Sequence, residues 1–303
     1  MEAWIWIPIT IFAAFFQNLR SALQKHLKGK LSDSGAAYVR FLYALPFVLS
    51  YLIALKYVSD TPWPTPNIKF LLFCTIGGIC QILFTVLLLW MFSFKSFAVG
   101  TTFSKLEIVM VALLGTIILS DTLNGYACVA IAISAFGLIV LSLGQSKISV
   151  ANLVIGLKDK STAIGLLSAA FLGGSVVFFR GASLSLETDS WLMAATFTLA
   201  ISLVIQSSIM SLWLALLEKG EITRVLANWR LATAVGVAGS LASMGWFTAF
   251  TIQNASYVRA LGQIELLFTF LVTILVFREK VTAMEYIGTA LIALGIFLIL
   301  LKG

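Results

Sequence analysis

Charge is scarce in this chain of 303 residues: 11% of them are Asp, Glu, Lys or Arg, against 60% hydrophobic, and the mean hydropathy is +1.02. A chain of this size cannot hide so much apolar surface in an aqueous core, so lipid is its expected solvent. Histidine occurs once, at His26 in a lysine-rich connection, which excludes a histidine metal site or a Ser-His-Asp triad inside the apolar runs. Cysteine is also rare. Cys74, Cys80 and Cys128 lie in apolar runs without metal-ligand spacing and read as small buried hydrophobes. No G-x-x-x-x-G-K-[ST] phosphate loop is present, so direct use of ATP is not expected, and no cofactor is. No basic segment precedes the first apolar run and no small-residue cleavage site follows it, so Ala3 onward reads as a retained first span. The net charge of +7 would suggest nucleic acid for a soluble protein. Here the basic residues of the connections read as topology signals, and no nucleic-acid partner is expected.

Apolar runs of about 20 residues predict ten helical spans: 3–24, 35–57, 68–92, 97–119, 123–144, 162–183, 190–217, 231–253, 256–277 and 281–301. The Pro-rich stretch Thr61-Pro62-Trp63-Pro64-Thr65-Pro66 separates the second from the third. Residues 104–143 and 262–301 share a layout at one offset: Glu107 matches Glu265, Asp121 matches Glu279 and Gly137 matches Gly295, each pair 158 residues apart. A constant offset near half the chain marks a duplication, with residues 1–145 as one half, 146–161 as linker and 162–303 as the other. Five spans per half is an odd number, so the duplication is predicted to be inverted, as in many carriers. The expected class is an all-α membrane protein of ten transmembrane helices in two inverted five-helix repeats.

Connections 1-2, 3-4, 5-6, 7-8 and 9-10 share a face and hold 12 basic residues, including Lys158; the other face, with both termini, holds Lys56, Lys69 and Lys302. The positive-inside rule then places the termini outside the cytoplasm. The five remaining basic residues, Arg20, Arg40, Lys105, Arg180 and Arg259, fall deeper within spans than Lys56 and Lys69, which sit at span ends.

An ionisable group at mid-bilayer costs at least about 2.5–3.5 kcal/mol and belongs in a bundle interior or wet cavity. Glu107, Lys105 and Glu265 lie roughly at the midplane, whereas the four arginines lie nearer span ends, where they can either snorkel or face a cavity. At helical spacing Arg259, Gly262, Glu265 and Thr269 form one polar face, duplicated by Thr101, Ser104, Glu107 and Val111. Each glutamate reads either as a proton or ammonium site or as half of a buried ion pair with a neighbouring span. Lys105 is too far around the helix to pair with Glu107 within their own span. Gln263, Trp90 and Trp246 complete the candidate substrate-binding or coupling set; aromatics at such spacing more often serve packing or interface anchoring. Gly77, Gly78, Gly236, Gly239, Gly288 and Gly295 predict close helix contacts.

Each half closes with a span, a short acidic turn (Ser120-Asp121-Thr122; Arg278-Glu279-Lys280) and a Gly-bearing last span (Ala135-Phe136-Gly137-Leu138; Ala293-Leu294-Gly295-Ile296). This resembles the EamA-type family of the drug/metabolite transporter superfamily over essentially the whole chain. The resemblance implies a multi-pass protein of a bacterial inner (plasma) membrane, monomeric or homodimeric, exporting small metabolites such as amino acids or organic anions by alternating access through a central cavity. It also implies cytoplasmic termini, against the charge count. Many relatives carry proline where this chain has Leu106-Glu107-Ile108 and Ile264-Glu265-Leu266, so both helices are expected to run straighter here. The arginines would hold a carboxylate and a glutamate an ammonium or coupling proton. Alternatives are proton-coupled efflux of lipophilic cations on the two glutamates, a membrane enzyme acting on lipid-linked groups, and a scaffold without transport. The enzyme lacks any polar catalytic loop in the sequence, and enzymatic activity is not expected.

Overall fold

The computed structural model describes residues 4–27, 30–91, 97–146, 158–275, 278 and 281–302. Among them the regular structure is helical apart from isolated bridge positions, including the antiparallel pair Thr65 and Glu187. Glu279, Lys280, Lys28, Lys95 and the linker stretch 147–157 lie outside the described residues.

The helices are α1 (Trp6–Lys25), α2 (Asp33–Leu42), α3 (Leu45–Ser59), α4 (Ile68–Met91), α5 (Phe97–Ser104), α6 (Glu107–Leu119), α7 (Gly125–Ser146), α8 (Lys160–Leu184), α9 (Trp191–Leu217), α10 (Glu221–Ala227), α11 (Trp229–Ile252), α12 (Ala255–Gly262), α13 (Ile264–Leu275) and α14 (Ala283–Lys302). Their starts are written locally. Asn67, Asn124, Ser190 and Asn254 each accept from a backbone N–H in the first turn that follows, satisfying donors the helix leaves open. At α14 Thr282 and Glu285 cap each other's N–H groups reciprocally.

Eight stretches among the described residues are long and apolar enough to cross a membrane: Asp33–Ser59, Ile68–Leu88, Thr102–Leu119, Gly125–Gln145, Lys160–Leu184, Trp191–Leu217, Trp229–Ile252 and Ala283–Leu301. The expected spans 3–24 and 256–277 are not among them. In the second case the helix is divided into α12 and α13, each short of a bilayer's thickness. Large side chains such as Ile117, Leu216, Leu217, Leu275 and Phe297 stand exposed, an apolar surface that only lipid tolerates on this scale. The protein is an integral, multi-pass membrane protein. Cys74 and Cys80 are buried as expected, but Cys128 is exposed, because it lies on the outer side of α7 rather than its packed side.

The expectation of straight helices around the two glutamates is overturned. The fourth predicted span breaks between α5 and α6 at Lys105-Leu106, and the ninth between α12 and α13 at Gln263. The breaks tighten into turns with i→i+3 bonds: Leu106 N–H donates to Phe103 O at 3.1 Å and Leu266 N–H to Gln263 O at 2.9 Å. No proline is needed, since each break opens a new helix with a glutamate in its first turn, where the carboxylate meets the positive end of the helix dipole. Both bounds of α12 lie 158 residues after those of α5 (255 against 97, 262 against 104), and α14 starts 158 after α7. Ser120 and Arg278, at the same offset, both adopt left-handed backbone, with φ 55° and 54°.

Contacts divide the chain into two compact units, Met1–Ile82 with Phe178–Gln253, and Leu83–Val177 with Asn254–Gly303. Each draws on both halves of the sequence. In the first, α1 packs on α11, and α9 packs on α2, α3 and α11, around a core including Leu27, Phe41, Val48, Met193, Leu199, Leu214 and Val235. In the second, α7 and α14 form the most extensive helix pair. Their backbones meet through glycine: a methyl on Gly288 would stand 2.5 Å from Leu141 N and one on Gly137 2.9 Å from Gly288 O. The six glycines expected at helix contacts all face a neighbour within 4 Å.

Candidate functional site

The ten candidate residues fall into two groups, one in each unit. In the first unit Arg20, near the end of α1, and Arg40, in the last turn of α2, line a small pocket with Gln81, Ser202, Gln206 and Ser243. Its volume is about 20 Å³, enough for one water-sized group. Among the described residues that line it, none is acidic. Arg40 rests over the ring of buried Phe41, 5.0 Å from its centroid, a contact that favours a guanidinium. Gln206 donates to Gln81 Oε1 at 2.7 Å. Gly239 leaves room for the Arg20 stem, since a methyl there would stand 3.3 Å from Arg20 Cδ.

Arg180 and Trp246 have structural duties in the same unit. Arg180 of α8 donates through Nη1 to the carbonyls of Phe250 and Gln253, closing the C-terminal end of α11 where a cation also meets the negative end of the dipole. Trp246 is buried; its Nε1 donates to Gln17 Oε1 at 2.9 Å, tying α11 to α1, and its ring stacks on Phe250 at 5.6 Å.

The second unit holds the carboxylates. Arg259 of α12 forms an ion pair with Glu107 in the first turn of α6, both side chains only 12% exposed. Glu265, in the first turn of α13, also acts on Arg259 electrostatically. One guanidinium therefore serves two acids that occupy equivalent places at offset 158. Gln263 sits in the break, 7% exposed, and its side chain reaches back to Arg259 O at 3.3 Å. Lys105 is half-buried in the other break, its N–H donating to Thr102 O at 3.2 Å. Trp90 stands 56% exposed near the end of α4.

For Glu107, the alternative of a buried pair with a neighbouring span is the one observed. The helical face drawn through Arg259, Gly262, Glu265 and Thr269 does not survive, because the helix is interrupted at Gln263. Sequence reading missed Gln81, Ser202, Gln206 and Ser243. The polar positions of α9 at Ser202 and Gln206, four apart within an apolar run, were the available signal. The break at Glu107 also had one: Ser104-Lys105-Leu106-Glu107 has the S-x-x-E form of a helix start, although the residue found at the N-cap is Leu106.

The model of the EamA-like transporter family matches residues 160–301. No curated protein matches the chain. A solved structure described only as "Crystal structure of protein" superposes with a TM-score of 0.70 at 14% identity, covering 97% of this chain and 96% of that one. At that identity the likeness shows a shared fold.

Proposed function

Residues 160–301 place the chain among EamA-type transporters of the drug/metabolite transporter superfamily, and from that premise we propose that it is a secondary active carrier that exports small metabolites bearing a carboxylate, amino acids or organic anions. Ten spans in two inverted repeats rock about a central cavity in this reading. The matched helix bounds and left-handed turns at offset 158 support it. The protein works in a bacterial inner membrane, as monomer or homodimer, with protons as the coupling ion.

The observation that carries the choice of substrate is the Glu107–Arg259 ion pair. It withdraws one of the two intramembrane carboxylates from the pair that efflux of a lipophilic cation would need. Arg20 and Arg40 line one pocket with Gln81, Ser202 and Gln206. A carboxylate is the group that paired guanidinium donors hold best. Glu265, in the first turn of α13 and within electrostatic reach of Arg259, is assigned the coupling proton.

The test is reconstitution in proteoliposomes, screened with labelled amino acids, organic acids and a cationic dye, with and without a pH gradient. Movement of a carboxylate-bearing solute that responds to the gradient is expected. Movement of the dye alone would transfer the assignment to cation efflux.

A further inference from the structure

We infer that a groove between α6 and α7 is a binding site for a membrane phospholipid, one acyl chain lying along the helices and the glycerol end at the Ser120-Asp121-Thr122 turn. The groove belongs wholly to the second unit and measures about 680 Å³, inside the range of about 300–1,000 Å³ common to ligand sites. Val109, Ala112 and Leu113 of α6 face Ile131, Ala132 and Cys128 of α7 across it, and the hydroxyl-bearing turn closes one end. Thr116, also on its wall, donates its hydroxyl to Ala112 O at 2.9 Å, which leaves the length of the groove apolar. An apolar length with a polar end fits an amphiphile.

The duplication explains why this space is open. At the offset of 158, Ala112 corresponds to Phe270 and Cys128 to Tyr286. Those two rings meet edge to face between α13 and α14, their centroids 5.3 Å apart. The second half therefore fills the place with its own side chains, whereas the first puts only a methyl and a thiol there. Within a bilayer the cost of an open cleft is lost dispersion contact rather than exposure to water, so the first half needs an occupant and the second does not. Continuity with the lipid-facing surface selects that occupant. Leu113 is both a wall of the groove and 54% exposed, and Ile117 and Val129 on the same two helices are exposed as well. A chain of the surrounding bilayer enters from there without leaving hydrocarbon. Ser120 and Thr122, exposed where α6 ends, carry hydroxyl donors for the ester or phosphate oxygens of the same lipid.

The experiment reconstitutes the purified protein in vesicles of phosphatidylethanolamine and phosphatidylglycerol with a trace of phospholipid bearing a diazirine midway along one acyl chain. After irradiation the labelled peptides are located by mass spectrometry. Residues 109–132 should carry several-fold more label than the equivalent residues 267–290. The latter are an internal reference for ordinary bilayer contact, since Leu271 and Ile287 are about as exposed as Leu113. Ala112→Phe with Cys128→Tyr, which copies the filled arrangement, should bring the first stretch down to the level of the second; Phe270→Ala with Tyr286→Cys should raise the second. The comparison within the parent needs no variant, so it decides the matter even where a double variant fails to fold. Equal labelling of the two stretches in the parent would overturn the site, leaving only contact at the lipid boundary. Efficient crosslinking of Cys128 to Cys128 between copies in the same vesicles would also overturn it, by giving the groove to a second copy of the chain. Cys74 and Cys80 are buried, so Cys128 is the thiol that reports.

Discussion

Removing Arg259 should harm the protein more than removing either acid it serves. In Glu107→Gln, Arg259 keeps the charge of Glu265 nearby. In Arg259→Gln, Glu107 loses its ion-pair partner and Glu265 the cation it acts on. Breaking a buried pair from one side costs about 3–5 kcal/mol, and at 12% exposure screening by water gives little relief. The upper part of that range belongs to Arg259→Gln and the lower part, or less, to Glu107→Gln. At roughly 2–4 °C per kcal/mol, the first should lower the apparent Tm by about 10 °C and the second by about half as much. The double variant should be less damaged than the two losses added, with a coupling of at least about 1 kcal/mol, since residues in contact are not additive. The assay is a fluorescence-monitored melt of the four proteins in one detergent at a fixed scan rate. Strict additivity, or Glu107→Gln proving worse than Arg259→Gln, would refute the shared-cation arrangement.

Glycine substitutions should separate packing from propensity. Gly236→Ala drives a methyl into the backbone carbonyl of Tyr43 and should cost about 1–3 kcal/mol, whereas Gly125→Ala meets nothing within 4 Å and should be neutral or stabilising by up to about 1 kcal/mol; melts of the two check both. Arg180→Leu strands the carbonyls of Phe250 and Gln253 and should lower stability by about 1–3 kcal/mol, read as a lower apparent Tm in the same melts. Topology is read by placing single cysteines at Lys158 and Lys302 in a variant lacking the native three: the charge count predicts that Lys302→Cys reacts with an impermeant maleimide in intact cells and Lys158→Cys does not.

The sequence carries long-range information about repetition and little about which faces meet. The 158-residue offset was readable from Glu107, Asp121 and Gly137 against Glu265, Glu279 and Gly295, and the bounds of α5 and α12 follow it. The helix-contact glycines were also readable, because a missing side chain inside an apolar run has few other uses. The breaks at Lys105-Leu106 and Gln263 were not anticipated. Apolar periodicity treats a run of 20 residues as one helix, and these breaks involve neither Pro nor, in α5–α6, a glycine at the turn itself. Arg259 was on the candidate roll for its own reasons, but its partner comes from a helix about 150 residues away in sequence, and spacing within one helix says nothing about neighbours. Arg180 and Trp246 show the converse: the sequence left snorkelling, packing and cavity readings open for them, and both side chains tie down α11. The two compact units mix elements of both halves, an arrangement that no local pattern announces.

The most direct test of the central claim is counterflow in proteoliposomes. Vesicles loaded with an unlabelled amino acid or organic acid are diluted into trace labelled solute, and uptake is followed for the parent, Arg40→Gln and Glu265→Gln. The account predicts transient accumulation by the parent, loss in Arg40→Gln, and persistence of exchange in Glu265→Gln with its response to a pH gradient abolished. Equal accumulation in parent and Arg40→Gln, with Glu265→Gln still following the gradient, would contradict it.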